Sequence, residues 1–148
     1  MGMRTTRGRR LALLAGAAAT VLVAQGLSGA DAATPTSGSV TSTAPTTTWT
    51  AGPFATPNVT GTATDPVCGA PTLCDDFTLN VSTPAGYGSG HQLTISVGWP
   101  NSAADFDVYV LDAAGNAVGT SASNADPEQV ILSPNSSRYT VRVVPFNP

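Results

Sequence analysis

Apolar and polar residues alternate along much of this chain from about residue 75 onward. The clearest run is LTISVGW at 93–99, in which every second residue is apolar up to a terminal tryptophan. The same period of two recurs at 77–81, 106–110 and 139–143. It places alternate side chains on one face of a β-strand, and no segment has the i, i+3, i+4 spacing of an amphipathic helix. The sequence therefore predicts an all-β fold.

Shorter alternating segments and turn residues extend this prediction. Weaker strand candidates at 47–51, 59–63, 117–121 and 129–132 bring the expected number of strands to between six and eight. Gly115 and Asn116 favour positive φ and predict a hairpin after Asp112. Each strand has one apolar face that must pack against another. We therefore predict an antiparallel, two-sheet β-sandwich over residues 51–148.

The first 32 residues differ from the rest in charge and hydropathy. Four arginines precede the uncharged apolar run at 11–23, and Ala30-Asp31-Ala32 places small residues before a cleavage point ahead of Ala33. This is the pattern of a secretory signal peptide, and the run is shorter than the roughly 20 residues of a membrane span. We expect a secreted, extracellular protein. The Arg9-Arg10 pair leaves the twin-arginine route open beside general secretion.

Composition changes again after the predicted cleavage point. Residues 33–50, ATPTSGSVTSTAPTTTWT, are rich in Thr, Ser and Pro and carry no charge. Such a segment buries too little apolar surface to offset its conformational entropy. We therefore predict an extended, disordered linker between the signal peptide and the sandwich.

The predicted mature chain is acidic. Removal of residues 1–32 leaves eight acidic side chains, two arginines and no lysine, a net charge of −6. Affinity for a phosphate backbone comes largely from Lys and Arg, so this balance argues against nucleic acid as a partner. It argues equally against a polybasic membrane anchor. We expect a monomer without membrane attachment after cleavage.

The two cysteines, Cys68 and Cys74, lie in the segment CGAPTLC. Export favours a disulfide between them. A redox or metal-binding pair is the alternative, but the C-x-x-C spacing and nearby histidines are missing. The sequence predicts a structural disulfide.

Several of these segments together resemble a known module. DFDVYVLD at 105–112, the Gly115-Asn116 turn, EQVIL at 128–132 and YTVRV at 139–143 look like the bacterial pre-peptidase C-terminal domain and its relatives. The resemblance covers residues 75–146 and implies a jelly-roll-like β-sandwich. It also implies a non-catalytic accessory role in secretion, solubility or attachment to a substrate. Such modules often follow a catalytic domain, so we expect either further extracellular domains in the natural product or a stand-alone small secreted protein.

Four aspartates are candidate metal ligands. Asp105 and Asp107 alternate with the apolar positions of one strand and would lie on its outer face about 7 Å apart. Asp75 and Asp76, if folding brings them near, would add the oxygen ligands that Ca²⁺ favours, and some relatives of the resembled domain bind calcium. The alternative is a cross-strand ion pair between Asp107 and Arg142.

No motif specifies a reaction. His91 is the single histidine, it lies in the Gly-rich segment 82–91, and no Gly-x-Ser-x-Gly elbow is present. We expect a non-enzymatic module whose partner is an extracellular glycan or protein, with a small extracellular hydrolase or a carbohydrate-binding domain as alternatives. Aromatic candidates for sugar binding are Trp49, Tyr87 and Tyr109, because Trp99 is in phase with the core.

Overall fold

The computed structural model describes residues 33–59, 61–62, 65–66, 68 and 73–148, so the predicted signal peptide lies outside the described residues. Within these ranges the chain is built from β-strands, and its only helical element is a short 3-10 turn at Tyr87–Ser89. No described helix has the length and apolar character needed to cross a membrane. The strands are β1 (Ser37–Thr41), β2 (Gly61–Thr62), β3 (Asp65–Pro66), β4 (Asp75–Ser82), β5 (Leu93–Val97), β6 (Asp105–Leu111), β7 (Ala117–Ser121), β8 (Glu128–Leu132) and β9 (Ser137–Asn147).

The strands form a β-sandwich, as the sequence predicts. One sheet has five strands in the order β1-β4-β9-β6-β7, and the facing sheet consists of β5 and β8. Strands β2 and β3 form a separate antiparallel pair. Every pairing in the two main sheets is antiparallel except that of β1 with β4, which is parallel.

The core lies between the two sheets and follows the predicted alternation. Val141 of the central strand β9 is opposite Phe77 on one side and Val110 on the other, and all three are fully buried. Ile95 and Val130, which are paired across β5 and β8, belong to the same buried cluster. Full burial of each such side chain contributes about 1.5–3 kcal/mol, so this cluster is the main source of stability.

A glycine on β7 allows the sheets to approach. A Cβ atom added at Gly119 would lie 2.4 Å from Cγ1 of Val130 and 3.2 Å from Cδ2 of Leu132. These distances are shorter than a carbon–carbon contact permits. The absence of a side chain at Gly119 therefore makes room for β8.

The prediction that residues 33–50 form a disordered linker is wrong. Residues Ser37–Thr41 pair with Thr78–Ser82 of β4 over five positions. Trp49 stacks on Phe77, with ring centroids 4.5 Å apart and planes 9° apart. The segment buries little apolar surface, but it gains backbone hydrogen bonds along the edge of the sheet at β4. The ordered domain therefore begins by Ala33 and not at residue 51.

Candidate binding groove

A groove of about 480 Å³ lies where β5 ends and β6 begins. One wall comes from the segment between β1 and β2, and the other comes from the end of β5 and the turn that follows. Val143 of β9 and Phe106 of β6 also contribute. The lining residues are Thr47, Thr48, Trp49, Thr50, Ala51, Pro53, Phe54, Ser96, Val97, Gly98, Trp99, Pro100, Phe106 and Val143.

Three aromatic rings lie in contact within the groove. The Phe106 ring is tilted against Phe54, with centroids 5.4 Å apart, and against Trp99, with centroids 5.1 Å apart. Trp49 also lines the groove while its ring stacks on the core residue Phe77. The groove thus has an aromatic cluster around Phe106 and a further ring, Trp49, that is anchored on the core.

The groove also contains polar groups. Thr47, Thr48, Thr50 and Ser96 are among its lining residues. The indole Nε1 of Trp99 is buried and has no acceptor among the described residues. Because this atom has almost no accessible surface, the groove presents the ring of Trp99 and not its N–H group.

The loop between β7 and β8 supports the Trp99 wall. The backbone N–H of Trp99 donates to Asp126 Oδ1 at 3.3 Å. The Glu128 carboxylate, 1% exposed, accepts from Ser123 N at 2.8 Å and Ser123 Oγ at 2.6 Å, and also from Ser121 Oγ. These bonds fix the loop that carries Asp126, so Glu128 helps position the groove without lining it.

The four aspartates proposed for calcium do not come together. Asp75 and Asp76 lie on β4, Asp105 and Asp107 lie on β6, and β9 runs between these strands. Two strand spacings separate the two pairs by roughly 10 Å. Among the described residues, no group of three or more His, Cys, Asp or Glu side chains has an arrangement that would hold a metal ion.

Arg142 has a different partner from the one that the sequence suggested. It is opposite Asp76 in the sheet, and its Nε and Nη2 donate to the two Asp76 carboxylate oxygens, each at 2.8 Å. Asp107 is opposite Val144, so the predicted Asp107–Arg142 pair is wrong. The strand periodicity gave the correct outer face, but the register that selects the partner depends on how β9 pairs on both sides.

Asp107 is nevertheless electrostatically unusual. Burial, followed by the charges of Asp105 and Glu128, raises the pKa of Asp107 to about 6, although a hydrogen bond with Tyr109 opposes the rise. Burial, followed by the Asp107 charge and hydrogen bond, also raises the pKa of Tyr109. Asp105 Oδ1 is buried without a donor among the described residues. None of the three acidic side chains lines the groove.

Of the three aromatic residues that the sequence suggested for sugar binding, only one lines the groove. Trp49 lines the groove, but Tyr109 is only 2% exposed and offers no surface for a ligand. Tyr87 stacks on the exposed His91 at 3.7 Å, in the loop before β5 and outside the groove. Trp99, expected in the core, lies two residues beyond β5 and lines the groove. The flanking Gly98 and Pro100 were the available signal, because they end the strand before the tryptophan.

The predicted disulfide between Cys68 and Cys74 is confirmed, with a Cα–Cα distance of 5.4 Å. Asn58, which is buried, donates from Nδ2 to Cys74 Sγ and to the Leu73 carbonyl, each at 3.3 Å. Its backbone N–H donates to the Pro145 carbonyl at 2.6 Å. Asn58 therefore ties the disulfide to the end of β9.

The chain matches no protein-family model, no curated protein and no solved structure.

Proposed function

We propose that this chain is a secreted, non-catalytic accessory module that binds a neutral carbohydrate in the aromatic groove. The observation that carries the proposal is the contact of Phe54 and Trp99 with Phe106 along a groove whose lining also includes threonine and serine side chains. The leader-like sequence of residues 1–32 and the disulfide are consistent with an extracellular location. The resemblance to the pre-peptidase C-terminal domain supports an accessory role.

The chemistry of a sugar ring fits this lining. A pyranose has an apolar C–H face that packs against aromatic rings, and its edge carries hydroxyl groups that both donate and accept hydrogen bonds. The side chains of Thr48, Thr50 and Ser96 would exchange hydrogen bonds with these hydroxyl groups. Binding sites of this kind combine an apolar lining with a few polar groups that fix orientation.

The composition of the groove favours binding over hydrolysis. Its lining residues include no His, Cys, Asp or Glu, the side chains that most often serve as general acids and bases. The partly buried Asp107 lies outside this lining. A net charge of −6 for the predicted mature chain also disfavours anionic ligands, so a neutral glycan is the better fit.

The test is a titration of the protein beginning at Ala33 with neutral oligosaccharides, followed by calorimetry and thermal shift. We expect saturable binding that raises the melting temperature. Trp99→Phe replaces the indole by a smaller ring, and should weaken binding by up to about tenfold, as expected for the loss of part of an aromatic contact of about 1 kcal/mol. Trp99→Ala should weaken it further.

Tyr87→Ala is the matched control, since Tyr87 is an aromatic residue outside the groove. It should leave the affinity unchanged. If no oligosaccharide binds, or if Tyr87→Ala and Trp99→Ala weaken binding equally, the groove is not a carbohydrate site.

A further inference from the structure

The Asp75 carboxylate holds two backbone N–H groups of the N-terminal segment. Ala33 N donates to Asp75 Oδ1 at 2.6 Å, and Gly52 N donates to Asp75 Oδ2 at 2.8 Å. Ala33 is 1% exposed and Asp75 is 2% exposed. The carboxylate therefore joins both ends of the segment 33–52 to the first residue of β4.

Contacts on the C-terminal side of Ala33 fix its position. Thr34 and Thr50 exchange two backbone hydrogen bonds of 2.9 Å, and Thr36 O accepts from Thr78 N at 3.0 Å. Ala33 itself belongs to the buried apolar cluster that contains Phe77. The nitrogen of Ala33 is thus held beside Asp75 by residues that follow it in the chain.

Ala33 is also the residue that the sequence marks as the first of the mature protein, because Ala30-Asp31-Ala32 precedes it. A signal peptidase would hydrolyse the Ala32–Ala33 bond. Water adds its oxygen to the Ala32 carbonyl carbon, the C–N bond breaks, and the products are an Ala32 carboxylate and an Ala33 amine, which is protonated at neutral pH. The neutral N–H that now faces Asp75 would become an ammonium group.

We infer that Asp75 is the receptor for the mature N-terminus: after hydrolysis of the Ala32–Ala33 bond, the α-ammonium of Ala33 and the Asp75 carboxylate form a buried ion pair. The inference rests on the exported state assumed in the proposed function. Signal-peptide removal then completes the fold as well as releasing the protein.

The geometry makes this pairing specific to one cleavage point. A charge-assisted hydrogen bond is about twice as strong as a neutral one, and the observed 2.6 Å separation already suits it. Consecutive Cα atoms are about 3.8 Å apart, so a cut one residue earlier or later would move the ammonium away from the carboxylate. A chain that begins at Ala33 can place its charge against Asp75 without moving the rest of the segment.

The experiment compares three forms of the same protein: one beginning at Ala33, one beginning at Ala32, and one beginning at N-acetylated Ala33. We expect the free Ala33 form to melt roughly 10 °C above the other two, as expected for a buried ion pair that the others lack. Its α-amine should also react with an acylating reagent at least about tenfold more slowly than the α-amine of the Ala32 form.

Substitutions identify the receptor. Asp75→Asn should abolish the difference in melting temperature between the free and acetylated forms. Asp76→Asn is the matched control, because Asp76 is the next residue of β4 and its carboxylate pairs with Arg142 on the outer face. That difference should persist in Asp76→Asn. If Asp75→Asn does not fold, the acylation rates of the unsubstituted forms still decide the question.

Equal melting temperatures together with equal acylation rates would overturn the inference, as would an exported product that begins at another residue. Neither result depends on the groove. Failure to bind oligosaccharides, with the N-terminal effect intact, would remove the proposed function and leave the Asp75 receptor standing.

Discussion

The closed core and the open groove are built from the same three strands. Strand β6 gives Val108 and Val110 to the core but Phe106 to the groove. Likewise, β9 gives Val141 to the core and Val143 to the groove. In the same way, β5 gives Ile95 to the core and Val97 to the groove. All these residues are apolar. The two regions differ in what lies opposite them.

In the core, the small sheet of β5 and β8 covers the valines completely, and compact β-branched side chains fill the space. At the groove, β5 contributes only its last two residues, and the irregular segment 47–54, which carries Trp49 and Phe54, forms the other wall. Large aromatic rings set against an irregular backbone leave a cavity. An inward-facing position therefore lines an open groove when the strand opposite it stops early.

The largest expected effect is in the core. Val108→Asp places a charge at a position with no exposed surface, and burial of an unpaired charge costs several kcal/mol, so the domain should unfold. Circular dichroism and urea titration measure this. Val118→Asp, on the exposed side of β7, is the control and should cost less than about 1 kcal/mol. Equal losses would show that the two faces are wrongly assigned.

A smaller effect is expected where the sheets approach most closely. Gly119→Ala adds a Cβ atom 2.4 Å from Val130 Cγ1, and overpacking of this kind costs about 1–3 kcal/mol. Gly90→Ala, which meets no atom within 4 Å, should be close to neutral. Chemical denaturation of both variants tests the pair. A neutral Gly119→Ala would mean that the two sheets are not in tight contact there.

The groove should respond differently from the core. Trp99→Phe removes an N–H that is unsatisfied in the free protein, so the free energy of unfolding should change by no more than about 1 kcal/mol. Ligand affinity should fall in the same variant. Thermal melting with and without oligosaccharide separates the two effects. A large loss of stability without ligand would make Trp99 a core residue after all.

The smallest expected effect is at Asp107, on the outer face. Because its pKa is raised from 3.8 to about 6 in the folded state, ionisation disfavours folding, and this penalty grows as pH rises from about 4 to 6. Asp107→Asn should remove this dependence of the unfolding free energy on pH. At pH 7 the substitution should change the unfolding free energy by on the order of 1 kcal/mol or less, because the group is partly exposed to solvent. Unfolding measured from pH 4 to 7 tests it. An unchanged pH slope would show that Asp107 is not the responsible group.

Much of the strand architecture was predictable because alternation is a local property. The period of two at 77–81, 93–97, 106–110 and 139–143 placed four strands correctly, and the candidate at 117–121 coincides with β7. The disulfide followed from the two cysteines together with the predicted export. The strand β1 was missed because its residues are polar, and its order comes from hydrogen bonds to β4 that only the folded sheet provides.

The residues that line the groove were less predictable than the strands. Phe54 lies in an irregular segment with no periodicity, and Phe106 has the same alternation phase as the core valines. The partner of Arg142 and the separation of the four aspartates depend on strand order and register, which involve residues distant in sequence.

The sequence by itself therefore determined the β-strand class, the side of each strong strand that is apolar, the disulfide and the acidic charge. Tertiary structure alone decided which apolar positions are covered by the second sheet and which line the groove with Trp99. It also decided that Asp75 binds the nitrogen of Ala33 and that Asp76 binds Arg142. The physical reason is the distance along the chain over which each effect acts. Periodicity and composition act over a few neighbouring residues, whereas a groove or an ion pair exists only where segments far apart in the chain are brought to the same point.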